Sequence, residues 1–87
     1  MTREIIITPS FDRLFRRVPK RIREATYEKL VLYRDNPSHP SLRIKRMRGT
    51  DRFWEMSVTM NHRVTFEVDE NRVLLRRIGT HDVLRKP

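Results

Sequence analysis

The chain has 87 residues, no cysteine and a formal charge of +9 at pH 7, from 20 Lys and Arg against 11 Asp and Glu. Its length predicts a single domain, residues 1–87, and the lack of cysteine excludes disulfides and thiolate metal sites. The cation excess predicts a polyanionic partner, because arginine binds phosphate bidentately and stacks on bases. Charge appears within the first four residues and apolar runs are short, so we expect a cytoplasmic protein without a signal peptide or a membrane partner.

The first half of the chain predicts one strand and a helical hairpin. Residues 5–7 are a β-branched run that a Thr-Pro-Ser sequence ends, which is typical of a strand. Ser10 is the predicted N-cap of the helix that follows. This helix has apolar residues at helical spacing, namely Phe11, Leu14, Phe15 and Val18. Pro19 is predicted to start a second helix, and the prolines and Asn of residues 36–40 are predicted to end it.

The second half changes to the period of a strand. Residues 54–58 and 63–68 alternate between apolar and polar side chains, with a turn at residues 61–62, so both are predicted half-buried strands. Residues 72–78 form a further strand-like run, and residues 42–47 are a weaker predicted strand. The order of strand, two helices and antiparallel meander predicts an α+β domain with the helices on one face of the sheet.

Five segments carry a resemblance to a known family: residues 36–42, 46–49, 54–58, 62–68 and 78–82. In their order and spacing they resemble the RelE/ParE superfamily of bacterial and archaeal type II toxins, over most of the chain. The resemblance implies a compact α+β fold with a concave basic sheet face and an acidic antitoxin as partner. Family members differ in target: many cut mRNA in the ribosomal A site, whereas the ParE-like branch inhibits DNA gyrase without being a nuclease.

His81 is the candidate catalytic residue, because it follows Gly79 and Thr80 directly after the last predicted strand. A histidine side chain ordinarily titrates close to neutral pH and can both accept and release a proton. The Gly-Thr-His sequence resembles the YafQ-type ribonucleases, whose catalytic histidine follows the same pair, while RelE itself has a catalytic arginine there. Arg63 matches another arginine of RelE and is predicted to hold the scissile phosphate. An ordinary exposed strand arginine is the alternative for Arg63.

Further basic residues are candidates for binding RNA. Lys45, Arg46 and Arg48 form a basic run that is predicted to contact the phosphate backbone, which positions RNA without specifying its sequence. A solvated strand edge is the alternative. His62 lies in a predicted turn and could stack on a base, whereas His39 lies between two prolines, which favours a packed loop.

The chain departs from the family at several positions. Lys45, Ser57 and Asn61 fall at or near the places where YafQ-type enzymes carry further histidines and an acid. RelE-like lysines fall at or near Trp54 and Met56, and the alternation pattern predicts that Trp54 belongs to the core. The catalytic set is therefore reduced, which leaves weak, altered or absent nuclease activity open.

Taken together, the residues and the resemblance predict a type II toxin that is a ribosome-dependent, metal-independent mRNA endoribonuclease. Its partners would be mRNA, the 70S ribosome and an acidic antitoxin, with His81 in acid–base catalysis and Arg63 as the phosphate clamp. The three histidines are widely spaced and no HExxH motif occurs, so we expect no metal and no other cofactor. A ParE-like gyrase inhibitor and a non-toxic basic RNA-binding domain remain as alternatives.

Overall fold

The computed structural model describes residues 3–87, and this part of the chain forms two α-helices and five strands. These are β1 (Glu4–Ile7), α1 (Pro9–Phe15), α2 (Lys20–Asp35), β2 (Lys45–Arg46), β3 (Trp54–Ser57), β4 (Arg63–Asp69) and β5 (Arg72–Gly79). Two short 3₁₀ helices are added, at Pro40–Leu42 and at His81–Leu84. The predicted α+β class is confirmed, as is the order of strand, helical hairpin and meander.

The strands form one mixed sheet in the order β1-β5-β4-β3-β2. Strands β2 to β5 are antiparallel neighbours, as the meander predicts. Strand β1 pairs in parallel with β5, with Ile6 opposite Leu74. The two helices carry the chain from β1 at one edge of the sheet to β2 at the other. The chain then returns through β3 and β4, so β5 comes to lie beside β1, and this whole segment is the long connection that a parallel pair requires.

Both helices contribute to the single apolar core on one face of the sheet, as predicted. The most deeply buried members come from both layers: Phe11, Ile22, Tyr33, Leu42, Met56, Val64, Phe66, Val73, Leu75 and Ile78. Burying one such side chain stabilises the fold by roughly 1.5–3 kcal/mol. Trp54 packs against this cluster, so its predicted place on the core face is confirmed.

A bulge in β5 keeps the apolar side chains of that strand on the core face. Thr65 and Phe66 are adjacent on β4, but their partners on β5 lie two residues apart, which leaves Arg76 unpaired. The extra residue shifts the alternation by one. Leu75 and Ile78 are therefore both buried, although three positions separate them.

The start of α1 differs from the prediction. The N-cap is Thr8, not Ser10, because Pro9 takes the first helical position, where its missing N–H costs nothing. The Thr8 hydroxyl accepts a hydrogen bond from the Phe11 main-chain N–H at 3.3 Å and donates one to the Leu75 carbonyl at 2.6 Å. The cap thus also joins the helix to β5.

Neither α1 nor α2 is long and apolar enough to cross a membrane, and no other helix within residues 3–87 is.

The predicted strand over residues 42–47 is too long. Only Lys45 and Arg46 pair with β3. Leu42 ends a 3₁₀ helix and is fully buried, and Arg43 has a left-handed φ of 47°. That conformation interrupts an extended chain, so the strand begins only after it.

Candidate functional site

The sheet face opposite the helices carries polar side chains, and we call it the outer face. Its polar members include Lys45, Glu55, Ser57, Arg63, Thr65, Glu67 and Arg77. In one row across four strands, Lys45 lies opposite Glu55, Glu55 opposite Thr65, and Thr65 opposite Arg77. Glu55 is largely buried, and its carboxylate lies 3.8 Å from the Lys45 ammonium.

The segment after β5 folds back over the outer face. The 3₁₀ helix His81–Leu84 contacts β4 and β5, and Val83 is buried. Thr65 is fully buried and donates a hydrogen bond to the main-chain oxygen of Pro87 at 3.4 Å. Gly79 permits this arrangement, because a Cβ atom there would lie only 2.7 Å from Val83 Cγ1. The glycine before Thr80 and His81 thus allows the 3₁₀ helix to pack closely against the sheet.

A pocket at one end of the outer face brings the two predicted catalytic residues together. It is lined by Met60, Asn61, His62, Arg63, Thr80 and His81. Arg63 starts β4 and lies opposite Gly79, which ends β5. The antiparallel pairing therefore brings the β3–β4 turn next to the exposed His81 ring. His62, predicted separately as an RNA-binding residue, lines the same pocket.

Arg63 is anchored by one of its nitrogens. Its Nη1 donates to the main-chain oxygens of Thr59 at 2.8 Å, Met60 at 3.0 Å and His62 at 3.1 Å. These bonds hold the β3–β4 turn. The Nε and Nη2 groups make no hydrogen bond within residues 3–87, so they can donate to an anion in the pocket.

The β3–β4 turn has a second organiser in Thr59. Its hydroxyl oxygen accepts from the main-chain N–H groups of Asn61 at 3.3 Å and His62 at 3.2 Å. His62 Nδ1 lies 3.3 Å from the same oxygen, and the Val58 N–H donates to the His62 carbonyl at 3.0 Å. The turn predicted at residues 61–62 is confirmed.

The predicted RNA-binding run is divided between the two faces of the sheet. Lys45 lies on the outer face, whereas Arg46 lies opposite Trp54, with its guanidinium 5.2 Å from the indole ring. Strand alternation causes this division. Arg48 is exposed in the following turn. All three residues line a second pocket, which Leu84 joins from the far end of the 3₁₀ helix.

The remaining histidine has a structural role and is not in either pocket. His39 caps the 3₁₀ helix Pro40–Leu42, and its Nδ1 accepts from the Ser41 main-chain N–H at 3.1 Å. Among residues 3–87 no three His, Asp or Glu side chains are grouped so that they could hold a metal ion.

One polar cluster of the outer face was not predicted. Glu67 accepts a hydrogen bond from Arg52 and forms an ion pair with Arg76 at 3.0 Å. The two guanidinium groups lie 5.3 and 5.2 Å from the ring of Phe53. The bulge at Arg76 makes this cluster possible, and no periodicity in the sequence indicates it.

Comparisons with known proteins identify similar folds. No family model matches the chain, and no curated protein matches it. Among solved structures, the RelB–RelE antitoxin–toxin complex from Methanococcus jannaschii is 18% identical, with a TM-score of 0.76 over 93% of this chain and 95% of that one. The E. coli DinJ–YafQ toxin–antitoxin complex is 15% identical, with a TM-score of 0.78 over 97% and 98%.

A third similar structure is the YoeB/ParE toxin from Agrobacterium tumefaciens, at 15% identity and a TM-score of 0.72, over 90% of this chain and 98% of that one. These similarities extend across nearly the whole length of each chain. The chain therefore has a RelE/ParE-like toxin fold.

Proposed function

We propose that the protein is the toxin of a type II toxin–antitoxin system and that it cleaves mRNA on the ribosome, which inhibits translation. The observation that carries the proposal is the pocket in which His62, Arg63 and His81 meet. Two independent features support it: the formal charge of +9, which suits an RNA substrate, and the fold shared with RelE and YafQ toxins.

The reaction would be an internal transesterification. The 2′-oxygen of the substrate attacks phosphorus, the bond to the 5′-oxygen breaks, and a 2′,3′-cyclic phosphate and a 5′-hydroxyl result. A base must take the 2′-proton, cations must stabilise the phosphorane charge, and an acid must protonate the leaving oxygen. The exposed imidazole of His81 is suited to the proton transfers. The Nε and Nη2 groups of Arg63 are suited to the phosphoryl oxygens.

The second pocket would bind the RNA backbone. Lys45, Arg46 and Arg48 would contact phosphates, which position the strand but carry no sequence information. Their contributions would differ, because Lys45 already shares its charge with Glu55 at 3.8 Å. The 3₁₀ helix His81–Leu84 lines both pockets, with His81 at one end and Leu84 at the other, so one strand could contact both.

An acidic antitoxin would be the protein partner. The similar RelE and YafQ structures are toxin–antitoxin complexes, and the charge of this chain favours an acidic protein. Binding to the folded state alone would stabilise this small domain.

One observation favours a second function. Trp54 and Met56, which fall at or near the lysines of RelE-like toxins, belong to or pack against the core. Their neighbours Glu55 and Ser57 occupy the outer face instead. Without lysines there, the chain would suit a non-nuclease inhibitor such as the ParE-like gyrase poisons, or a basic RNA-binding domain.

Primer extension on translated mRNA tests the proposal against both alternatives. If the protein is a ribosome-dependent nuclease, its induction should produce new 5′ ends inside codons, and only on mRNAs that are being translated. Gyrase-linked breaks in DNA with intact mRNA would establish the inhibitor instead. Undisturbed growth, with neither mRNA cleavage nor DNA breaks, would support the non-toxic RNA-binding domain.

A further inference from the structure

The hydroxyl of Thr59 contacts both the main chain of the β3–β4 turn and the ring of His62. A threonine hydroxyl has two acceptor sites and one hydrogen. The main-chain N–H groups of Asn61 and His62 occupy both acceptor sites, at 3.3 and 3.2 Å. The hydroxyl hydrogen is then left for His62 Nδ1, 3.3 Å away. In this arrangement Nδ1 would accept the hydroxyl hydrogen, and the neutral ring would carry its proton on Nε2.

The Nε2 edge of His62 is the edge available to a ligand. The ring lines the same pocket as Arg63 and His81, while Nδ1 is directed at the β3–β4 turn. Arg63 holds the main-chain oxygen of His62 at 3.1 Å, which fixes the backbone on which the ring stands. The ring is half-buried, its backbone is fixed and its Nδ1 is occupied. The Nε2–H group is therefore the one that can donate to a ligand in the pocket.

We propose that His62 is a further catalytic residue, a neutral donor that hydrogen-bonds through Nε2–H to a non-bridging oxygen of the reacting phosphate. Thr59 is its positioning residue. This inference rests on the proposed RNA cleavage and gives His62 a role other than stacking on a base. A fixed donor aimed at developing negative charge stabilises the transition state without transferring a proton. The proton transfers are then left to His81.

Substitutions of His62 distinguish a residue that donates a hydrogen bond from one that transfers a proton in the reaction. His62→Ala should lower the cleavage rate by about 10²-fold, the low end for losing one such donor. His62→Gln should recover part of this loss, because its amide N–H₂ reaches close to the Nε2 position and can donate a hydrogen bond but cannot act as a general acid or base near neutral pH. His81→Gln should recover nothing relative to His81→Ala. His39→Asn, which loses an imidazole but keeps a capping side chain, is the control.

The tautomer provides a readout that does not depend on activity. At about pH 8.5, where imidazoles are ordinarily neutral, proton–nitrogen correlation spectra of the free protein should show His62 protonated at Nε2, with Nδ1 hydrogen-bonded. Thr59→Val should shift the Nδ1 resonance and lower cleavage, and Thr59→Ser should restore both. Thermal unfolding of each variant checks that the fold is retained.

The outcomes distinguish this inference from the function on which it rests. If the wild type produces no cleavage, both fail. If the wild type cleaves and His62→Ala cleaves equally well, the inference fails while the proposed function stands. A His62 ring protonated at Nδ1, or a Thr59→Val variant with unchanged resonance and rate, would overturn the role of Thr59. Activity in His62→Gln no greater than in His62→Ala would contradict the donor role.

Discussion

At the scale of single residues, the pocket depends on side chains that serve both the fold and the chemistry. Arg63 donates from Nη1 to three main-chain oxygens of the β3–β4 turn, the shortest at 2.8 Å. Its other donors remain for a ligand. The same guanidinium thus shapes the turn that carries His62 and supplies positive charge to the pocket. Conservative substitution should separate these two contributions.

Arg63→Ala should lower both stability and cleavage. A hydrogen bond to a charged group contributes roughly 1.5–3 kcal/mol, so we expect the free energy of unfolding to fall by about 2 kcal/mol. Arg63→Lys should restore the positive charge, but it cannot hold the turn through one nitrogen while other nitrogens stay available to a ligand. Urea denaturation and cleavage assays of both variants are the measurements. Unchanged stability in Arg63→Ala would show that the three bonds do not hold the turn.

At the scale of elements, the 3₁₀ helix after β5 connects the sheet to the site. Its position requires Gly79, since a Cβ atom there would lie 2.7 Å from Val83 Cγ1. Val83 itself is buried against the outer face. The orientation of His81 is therefore set by packing two residues away from it on either side.

Gly79→Ala should displace the 3₁₀ helix and lower cleavage, while leaving β4 and β5 paired. Val83→Ala removes the atom that would clash, so the double variant Gly79→Ala/Val83→Ala should regain part of the lost activity. A double-mutant cycle measures this coupling. Strictly additive effects of the two substitutions would mean that the close contact does not position His81.

The sequence predicts some of these features and not others, for physical reasons. His81 follows a Gly-Thr pair at a strand end and Arg63 starts an alternating strand, but their predicted catalytic roles come from the resemblance to the RelE/ParE superfamily. Other features depend on cross-strand register and turn geometry, namely the unpaired Arg76 and the hydroxyl contacts of Thr59. The alternation of apolar and polar residues along a strand does not specify either of these. The helical stripe predicts Ser10 as the N-cap, but the N-cap is Thr8, because Pro9 fits the first helical position.

At the scale of the whole molecule, charge is arranged around the site unevenly. The formal charge of +9 attracts a polyanion, but carboxylates on the outer face reduce it locally. Glu55 lies beside Lys45, and Glu67 pairs with two arginines. The cations of the second pocket should therefore contribute unequally to binding.

Salt dependence measures this inequality. In binding of the protein to mRNA-programmed ribosomes, Arg48→Ala should reduce the slope of log K against log salt by about 0.7, the value for one contact to single-stranded nucleic acid. Lys45→Ala should reduce it less, because Glu55 already neutralises part of that charge. Lys20→Ala, a cation on α2 away from the outer face, is the control. Equal slopes for all three variants would show that the second pocket takes no part in binding RNA.

Partner binding should also be visible at this scale. If the protein encoded beside this one is its acidic antitoxin, saturating amounts should raise the melting temperature markedly. Free partner at about 1,000 times its dissociation constant stabilises the folded state by about 4 kcal/mol. Thermal unfolding with and without the neighbour is the measurement, with an unrelated acidic protein of similar size as control. An unchanged melting temperature would exclude that neighbour.

The most direct test of the central claim compares wild type and His81→Ala at matched soluble protein levels, by primer extension on mRNA under translation. General acid–base catalysis typically contributes about 10²–10⁴-fold, so His81→Ala should lose cleavage by that range while its unfolding transition stays unchanged. His81 is exposed, so we expect its substitution to leave the fold intact. If His81→Ala cuts mRNA and arrests growth as well as the wild type does, His81 takes no part in catalysis and the account is wrong.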